Sequence, residues 1–320
     1  MSFIFSLKLS VGALVLLPAI WAAPIHDALK FDWDAIKYVY AFGDSYTFVQ
    51  GTAGHANFSF IGDAVNYSFS PGELLSNEIV LKSTSSEGSN WLEFLTGCFS
   101  GLPAACDKQL WDFAFAGADI DANLLPRHHD FTVPLVDQVK QWVVYASEAI
   151  PHPPRETLTA WWIGINDTGD TVDNHTVNIN TFWETEMLSY FRAVQSAYDN
   201  GLKQHIFINV PPGERSPLAN TNATKAEILK SHVDSYNTAL RNHVQLFSRR
   251  NQGAVTLTFD ANAWFNSVLD QPASYGFNDV TGYCTCADPT GYFWYNTGHP
   301  TERVHRLLAE AIDKNFRITR

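Results

Sequence analysis

Residues 38–46 read Tyr-Val-Tyr-Ala-Phe-Gly-Asp-Ser-Tyr, a short apolar run that ends in a glycine followed by two polar residues. An uninterrupted apolar run of this length predicts a strand that is buried on both faces. Such strands are typical of parallel sheets, whose two faces are covered by helices. The stretch therefore predicts an α/β fold, and it places Asp44 and Ser45 just beyond the carboxyl end of a strand.

The rest of the chain repeats this alternation of apolar runs and helical patterns. Further buried strands are predicted at 111–116, 159–165, 205–210 and 254–259, and helices at 133–147, 181–200, 225–250 and after Pro300. The helix at 225–250 is the clearest, because Thr224 and Glu227 form a capping-box pattern at its start. Strands that alternate with helices imply a parallel sheet with right-handed crossovers.

Polar or glycine-containing segments follow several of these strands. In order along the chain they are Gly43-Asp-Ser45, Ala116-Gly117-Ala118, Gly164-Ile-Asn166-Asp167 and, near the C-terminus, Asn296-Thr-Gly-His299-Pro300. Ligands of open α/β sheets bind beyond the carboxyl ends of the strands. We therefore expect the first three segments to meet at one edge of the sheet.

The residue types in these segments suit acyl transfer. Ser45 is a possible nucleophile if a base removes its proton, and His299 is the natural base because its ordinary pKa lies near neutrality. The backbone N–H groups of Ser45 and Gly117, with the side-chain amide of Asn166, would supply donors for an oxyanion. Each element alone is common in proteins, so the prediction rests on all four occurring in order.

With these four segments the sequence resembles the GDSL, or SGNH, hydrolases, which are named after the Ser, Gly, Asn and His of four blocks. The resemblance covers nearly all of the chain after residue 22. It implies a flavodoxin-like three-layer α/β/α sandwich with a five-stranded parallel sheet, catalysis without cofactor or metal, and roles for Ser45, Gly117, Asn166 and His299 as above. Among the branches of the family, the chain looks most like the secreted fungal acetylesterases of carbohydrate esterase family 16.

Two positions depart from the family pattern. Tyr46 follows the serine where leucine is usual, and we expect its side chain to pack under the loop. Asn296 stands where the family has the aspartate that completes the triad, and an amide cannot supply the negative charge that stabilises an imidazolium. Either Asn296 orients His299, or another acceptor such as Asp288 or a main-chain carbonyl does so, or the site is a Ser-His dyad. Asp44 is expected to fix the nucleophile loop.

The composition is that of a globular protein, with 46% hydrophobic and 17% charged residues among 320. A net charge of −12 argues against nucleic acid or an anionic membrane as partner. Aromatic residues make up 14% of the chain, and Trp161, Trp162, Trp264 and Trp294 are candidates for stacking on sugar rings or for filling the core.

The N-terminus is typical of a signal peptide, because Lys8 precedes an apolar run from Val11 to Ile20 that ends in small residues. We assign residues 1–22 to that peptide and 23–320 to a single domain. Export agrees with the sequons, at Asn57, Asn66, Asn174 and Asn222. A further sequon at Asn166 is expected to stay unglycosylated in the active site. Four cysteines allow three disulfide connectivities, of which local pairing, Cys98 with Cys106 and Cys284 with Cys286, is favoured.

The sequence thus predicts a secreted serine carboxylic ester hydrolase, specifically an acetylesterase acting on a small-molecule or oligosaccharide ester. A lipase or phospholipase of the same fold is the alternative, and a long apolar lid helix, which would favour it, is not evident. A carbohydrate-binding relative with weakened catalysis is a second alternative, suggested by the missing acid at position 296. The oligomeric state is left open.

Overall fold

The structure is a computed structural model that describes Met1, residues 29–174 and residues 177–318. Apart from Met1, the predicted signal peptide lies outside the described residues. No helix in the described ranges is both long and apolar enough to cross a membrane.

The centre of the molecule is a five-stranded parallel sheet. Its strands in chain order are β1 (Tyr38–Gly43), β2 (Gln109–Asp112), β3 (Thr157–Trp162), β4 (Gln204–Ile208) and β5 (Val255–Phe259). Their spatial order is β2-β1-β3-β4-β5, with every neighbouring pair parallel. This is the flavodoxin-like order, in which the chain reverses direction of winding beside β1, so the predicted fold class is confirmed.

Helices connect the strands. They are α1 (Pro71–Ser76), α2 (Trp91–Thr96), α3 (Leu135–Tyr145), α4 (Ile165–Asp170), α5 (Ile179–Asp199), α6 (Ala223–Arg250), α7 (Ala261–Asp270) and α8 (Glu302–Ile318). The predicted helices at 133–147, 181–200, 225–250 and after Pro300 correspond to α3, α5, α6 and α8. The short helices α1, α2 and α4 are too brief for a periodic pattern to reveal.

Adjacent tryptophans in β3 show how the two helical layers are separated. The Trp161 ring packs on Tyr190 of α5, whereas the next ring, Trp162, packs on Trp91 of α2 and Phe265 of α7. Successive side chains of a strand point to opposite faces, so α5 and the pair α2 and α7 lie on opposite sides of the sheet. Three layers result, with the sheet in the middle.

These tryptophans do not serve a sugar site. Trp161, Trp162 and Trp294 are at most 1% exposed, so of the two roles considered for these three, core packing is the one found. Trp264 of α7 is half-buried. Strands of a parallel sheet are covered on both faces, which leaves a tryptophan in β3 no route to solvent.

Two predicted strands end earlier than expected. β2 ends at Asp112 instead of continuing to residue 116, and the Asp112 carboxylate accepts the N–H groups of Ala114 at 2.8 Å and Val49 at 2.7 Å. β3 ends at Trp162, and the predicted continuation to residue 165 is instead a turn at Gly164 into α4.

After α7 the chain forms a two-stranded parallel ribbon, β6 (Asp279–Tyr283) and β7 (Tyr292–Trp294). Its connecting loop contains the disulfide between Cys284 and Cys286, and the other disulfide joins Cys98 to Cys106, so the favoured local pairing is found. A turn of five residues, 295–299, then leads from β7 toward α8 and carries His299.

Candidate active site

Ser45 lies in a tight turn at the carboxyl end of β1. The buried Asp44 holds this turn, since its carboxylate accepts the Tyr46 N–H at 3.0 Å and its main-chain oxygen accepts the N–H of Thr47 at 3.0 Å. Burial raises the pKa of Asp44 to about 8. The expectation that Asp44 fixes the nucleophile loop agrees with these contacts.

The strand that leads into this turn is anchored from α3. Gln138, fully buried, accepts the Gly43 N–H at 3.0 Å with its side-chain oxygen and donates its amide to the Gly43 carbonyl at 2.9 Å. A buried backbone N–H without a partner costs about 1–3 kcal/mol, so this contact stabilises the position of Ser45. The sequence gives no sign of it, because Gln138 and Gly43 are 95 residues apart.

His299 meets Ser45 at hydrogen-bond distance. Its Nε2 lies 2.8 Å from the Ser45 Oγ, although the two residues are 254 positions apart in the chain. Both side chains are half-buried, so a small molecule can reach them from solvent. Burial lowers the pKa of His299 to about 4, which keeps the imidazole neutral, the form that accepts a proton, at neutral pH.

Asn296 contacts the other nitrogen of the ring. Its Oδ1 lies 3.0 Å from His299 Nδ1 and also accepts the backbone N–H groups of Gly298 at 3.0 Å and His299 at 2.8 Å. Two backbone donors fix the amide with its oxygen on this side, so Nδ1 must donate its proton to that oxygen. Nε2 is then free to accept the Ser45 hydroxyl proton.

Asp288 is the other side chain considered as an acceptor for His299, and it makes different contacts. The Asp288 carboxylate accepts the N–H of Thr290 at 3.1 Å and its hydroxyl at 2.5 Å. It lines a cavity of about 640 Å³ whose walls include neither Ser45 nor His299. Of the alternatives at the imidazole Nδ1, the structure places Asn296 alone within hydrogen-bond distance, among the residues that it describes.

Tyr46 packs under the serine loop, as expected, but it also makes a contact that was not foreseen. Its buried hydroxyl donates to the carbonyl of Gly298 at 2.5 Å, and its ring lies 5.5 Å from that of His299. The tyrosine therefore joins the turn that carries Ser45 to the turn that carries His299. Leucine, the usual residue of the family, has no hydroxyl for this bond.

Asn166 lies beside the turn that contains Gly117. The Asn166 side-chain amide donates to the carbonyl of Ala118 at 2.9 Å, which uses one of its two N–H groups and holds the Gly117 turn beside α4. Neither Ser45 nor Gly117 donates its N–H to a backbone carbonyl in the described ranges. Their amides, with the second N–H of Asn166, are therefore candidates to bind a developing oxyanion.

Two glycines make this arrangement possible. Gly117 has φ +78°, in the left-handed region that favours glycine, and Gly164 has φ +113°. A Cβ on Gly164 would also clash with the ring of Tyr236, whose hydroxyl donates to the Ile163 carbonyl at 2.9 Å. Gly164 thus turns the chain sharply from β3 into α4 and brings Asn166 to the site.

The carboxylate of Asp167 ties these two segments together, and the sequence analysis assigned it no role. Its Oδ1 accepts the N–H of Ile120 at 2.9 Å, so α4 is bonded to the loop after Gly117. Asp167 is fully buried, and burial raises its pKa to about 7. Its position directly after Asn166 in the Gly-Ile-Asn-Asp segment is the feature of the sequence that could have indicated this role.

Comparison with known proteins finds similarity over most of the chain. The family model of GDSL-like lipases and acylhydrolases matches residues 39–312. An acetylesterase of Thermothelomyces thermophilus is 31% identical, covering 86% of this chain and 87% of its own, and an acetylesterase of Hypocrea jecorina is 22% identical with the same coverage. An acetyl xylan esterase structure from Geobacillus stearothermophilus is 15% identical, with a TM-score of 0.47 over 88% of this chain and 96% of its own.

A match over most of the chain, together with the identity to the Thermothelomyces enzyme, is sufficient to assign the family. The chain belongs to the GDSL lipase and acylhydrolase family, the carboxylic ester hydrolases that the sequence analysis predicted.

Proposed function

We propose that this protein is a secreted acetylesterase that removes acetyl groups from carbohydrates, with Ser45 as the nucleophile and His299 as the general base. The observation that carries the proposal is the 2.8 Å contact between Ser45 Oγ and His299 Nε2, with the opposite nitrogen bonded to Asn296. Two acetylesterases among the relatives support the choice of acyl group.

In the proposed reaction, His299 Nε2 takes the proton of Ser45 as Oγ attacks the acetyl carbonyl carbon. The resulting oxyanion accepts hydrogen bonds from the backbone amides of Ser45 and Gly117 and from the Asn166 side chain. The imidazolium returns its proton to the leaving sugar oxygen, and an acetyl-serine remains. Water, deprotonated by the same imidazole, then releases acetate and restores the serine hydroxyl.

The neutral amide of Asn296 orients the imidazole but gives the imidazolium no full negative charge. Its oxygen dipole still points at Nδ1, and the bond fixes the tautomer that the reaction requires. The intact contacts of Ser45, His299 and Asn296 favour a working hydrolase over a carbohydrate-binding relative with weakened catalysis.

An aromatic group beside the site suits a sugar substrate better than the buried tryptophans do. The Phe131 ring is stacked with those of His55 at 4.0 Å and His129 at 4.9 Å, and its edge meets Phe58. The Phe58 carbonyl accepts the Ala116 N–H at 2.9 Å, which places the group next to the Gly117 turn. The rings of Phe58 and Phe131 are half-buried, and rings that keep one face accessible can stack on a pyranose.

Export is supported by surface features. The sequons at Asn57, Asn66 and Asn222 begin with exposed asparagines, and all four cysteines are in disulfides, which persist in oxidising compartments.

The test compares acyl chain length with the nature of the alcohol. We expect kcat/KM on p-nitrophenyl esters to be highest for acetyl and to fall sharply beyond four carbons. Phe131→Ala should raise KM for acetylated xylo-oligosaccharides several-fold while leaving KM for p-nitrophenyl acetate nearly unchanged. Phe99→Ala, a half-buried phenylalanine elsewhere, is the matched control. A rate maximum at eight carbons or longer would instead indicate the lipase alternative.

A further inference from the structure

Three potential metal ligands converge beside the Gly117 turn. His128 Nε2 lies 2.7 Å from Asp170 Oδ2 and 3.9 Å from Asp119 Oδ2, and the three ligand atoms all lie within 4.8 Å of one another. The His128 ring also faces the turn, since its Nδ1 is 3.3 Å from the position that a Cβ on Gly117 would take. None of the three residues takes part in the proposed hydrolysis.

Asp119 is the member of this group whose burial without a hydrogen-bond partner needs an explanation. It is 3% exposed, and neither of its carboxylate oxygens has a hydrogen-bond partner among the described residues. A buried carboxylate in that state is costly unless a proton or a cation neutralises it. The His128 imidazole lies 3.9 Å from one of these oxygens and is bonded instead to Asp170.

Further buried carboxyl groups belong to the same part of the molecule. Glu186 is fully buried with both carboxylate oxygens unpartnered in the described part of the chain, and Asp167 has one such oxygen. A cation at the mouth of this acidic group would supply the positive charge that these buried carboxyl groups lack.

The ligand set and its spacing fit a divalent transition metal. One imidazole nitrogen and two carboxylate oxygens are ligands that Zn²⁺ and Mn²⁺ accept. Bond lengths of about 2.1 Å in a tetrahedral site place ligand atoms ~3.4 Å apart. The two separations at His128 Nε2, 2.7 and 3.9 Å, lie on either side of that value, and all three ligand atoms lie within 4.8 Å of one another.

From these contacts we propose that Asp119, His128 and Asp170 bind a divalent metal ion, Zn²⁺ or Mn²⁺. Solvent reaches the position through the exposed side of His128. Asp119 and His128 belong to the loop after Gly117, whereas Asp170 ends α4, which carries Asn166. The metal therefore joins the two segments that supply the proposed oxyanion donors, and it acts as a structural tie outside the reaction itself.

No common metal-binding motif would have revealed this site, because the ligands are separated by 9 and 42 positions. The sequence patterns predicted no metal site, so the proposal departs from that prediction; the proposed ion takes no part in the chemistry.

The test measures metal binding without using activity. The secreted enzyme is dialysed against EDTA and then titrated with ZnCl₂ and MnCl₂, with calorimetry for stoichiometry and thermal unfolding for stability. We expect one equivalent to bind and to raise Tm by at least about 2 °C, because a ligand of the native state stabilises it. The double variant His128→Ala/Asp170→Asn should lose both effects, and the neighbouring pair His129→Ala/Asp173→Asn should keep them.

Asp119→Asn is a second variant that keeps the side-chain shape while removing the buried charge. It should unfold at a Tm no lower than that of the metal-free wild type and should bind neither metal. Absence of binding by the wild type, or an unchanged Tm increase in His128→Ala/Asp170→Asn or in Asp119→Asn, would overturn the proposal. A failure of the proposed acetylesterase activity would leave these measurements unaffected.

Discussion

The imidazole of His299 contacts one side chain through each ring nitrogen, Ser45 through Nε2 and Asn296 through Nδ1. The sequence identified all three residues but left open whether position 296 matters. The structure shows why an amide can serve, since the Asn296 oxygen is fixed by two backbone N–H groups of the same turn. A hydrogen bond of this kind depends on the local conformation of residues 296–299, which residue types alone do not reveal.

The role of Asn296 can be tested by the pH dependence of kcat/KM on p-nitrophenyl acetate. His299 must be neutral to act as a base, and burial lowers its pKa to about 4, so wild-type activity should fall only near and below that pH. In Asn296→Asp the new carboxylate favours the protonated imidazole, which moves the acid limb to higher pH while kcat is preserved or raised. Asn296→Ala should lower kcat roughly 10–100-fold, the equivalent of an unpaired buried donor.

His299→Ala is the reference for these variants and should lose more activity than Asn296→Ala. If Asn296→Ala stays within twofold of wild type between pH 5 and 8, Asn296 has no part in catalysis and the site is a Ser-His dyad.

Tyr46 gives a second residue-scale prediction. Tyr46→Phe removes the hydroxyl that donates to the Gly298 carbonyl and leaves the ring in place, so unfolding in urea should show a loss of about 1 kcal/mol. A several-fold fall in kcat should accompany it, because the two catalytic turns are no longer bonded to each other. Tyr283→Phe, which alters a tyrosine 49% exposed, should change stability by less than about 0.5 kcal/mol. Equal stability and activity of the two variants would show that the hydroxyl contributes nothing.

At the scale of elements, the apolar runs located every strand of the central sheet, but side-chain hydrogen bonds decided where the elements end. The capping box predicted for α6 is an example. Thr224 and Glu227 have the right types and spacing, yet the helix begins at Ala223 and the Asn222 side chain accepts the Lys225 N–H at 3.1 Å. Asparagine is at least as good an N-cap as threonine, so the earlier residue takes the position.

Asn222 both caps α6 and begins a sequon, and two substitutions can distinguish the effect of the cap from that of a glycan. Asn222→Ala should destabilise the protein by about 0.5–2 kcal/mol in urea unfolding, through loss of the cap. Asn222→Asp removes the sequon equally but keeps an oxygen that caps the helix, so its stability should remain close to that of the wild type. Equal losses in both variants would assign the effect to the glycan instead of the cap.

For the whole molecule, the order of the strands is what converts scattered residues into one site. β1 and β3 are neighbours in the sheet, so Ser45 and Asn166 follow strands whose carboxyl ends lie side by side. The general rule for parallel sheets predicted this convergence. It could not predict the contacts made across the fold by Gln138, Tyr46 and Asp167, because each depends on how distant segments pack.

The aromatic residues show the same limit at this scale. Composition made tryptophans candidates for sugar binding, but the side chains of Trp161 and Trp162 are buried between the sheet and its helices. The rings that remain beside the site, those of His55, Phe58, His129 and Phe131, lie in loops that sequence periodicity does not describe.

The central claim is that the folded chain makes Ser45 a nucleophile through His299. A fluorophosphonate reacts covalently with an activated serine, so the most direct measurement is mass spectrometry of the digested protein after labelling at pH 7. The account predicts one modified peptide, with the phosphonate on Ser45, and loss of labelling in His299→Ala and in the urea-unfolded wild type. Labelling at a different residue, or labelling of Ser45 that persists in His299→Ala, would contradict it.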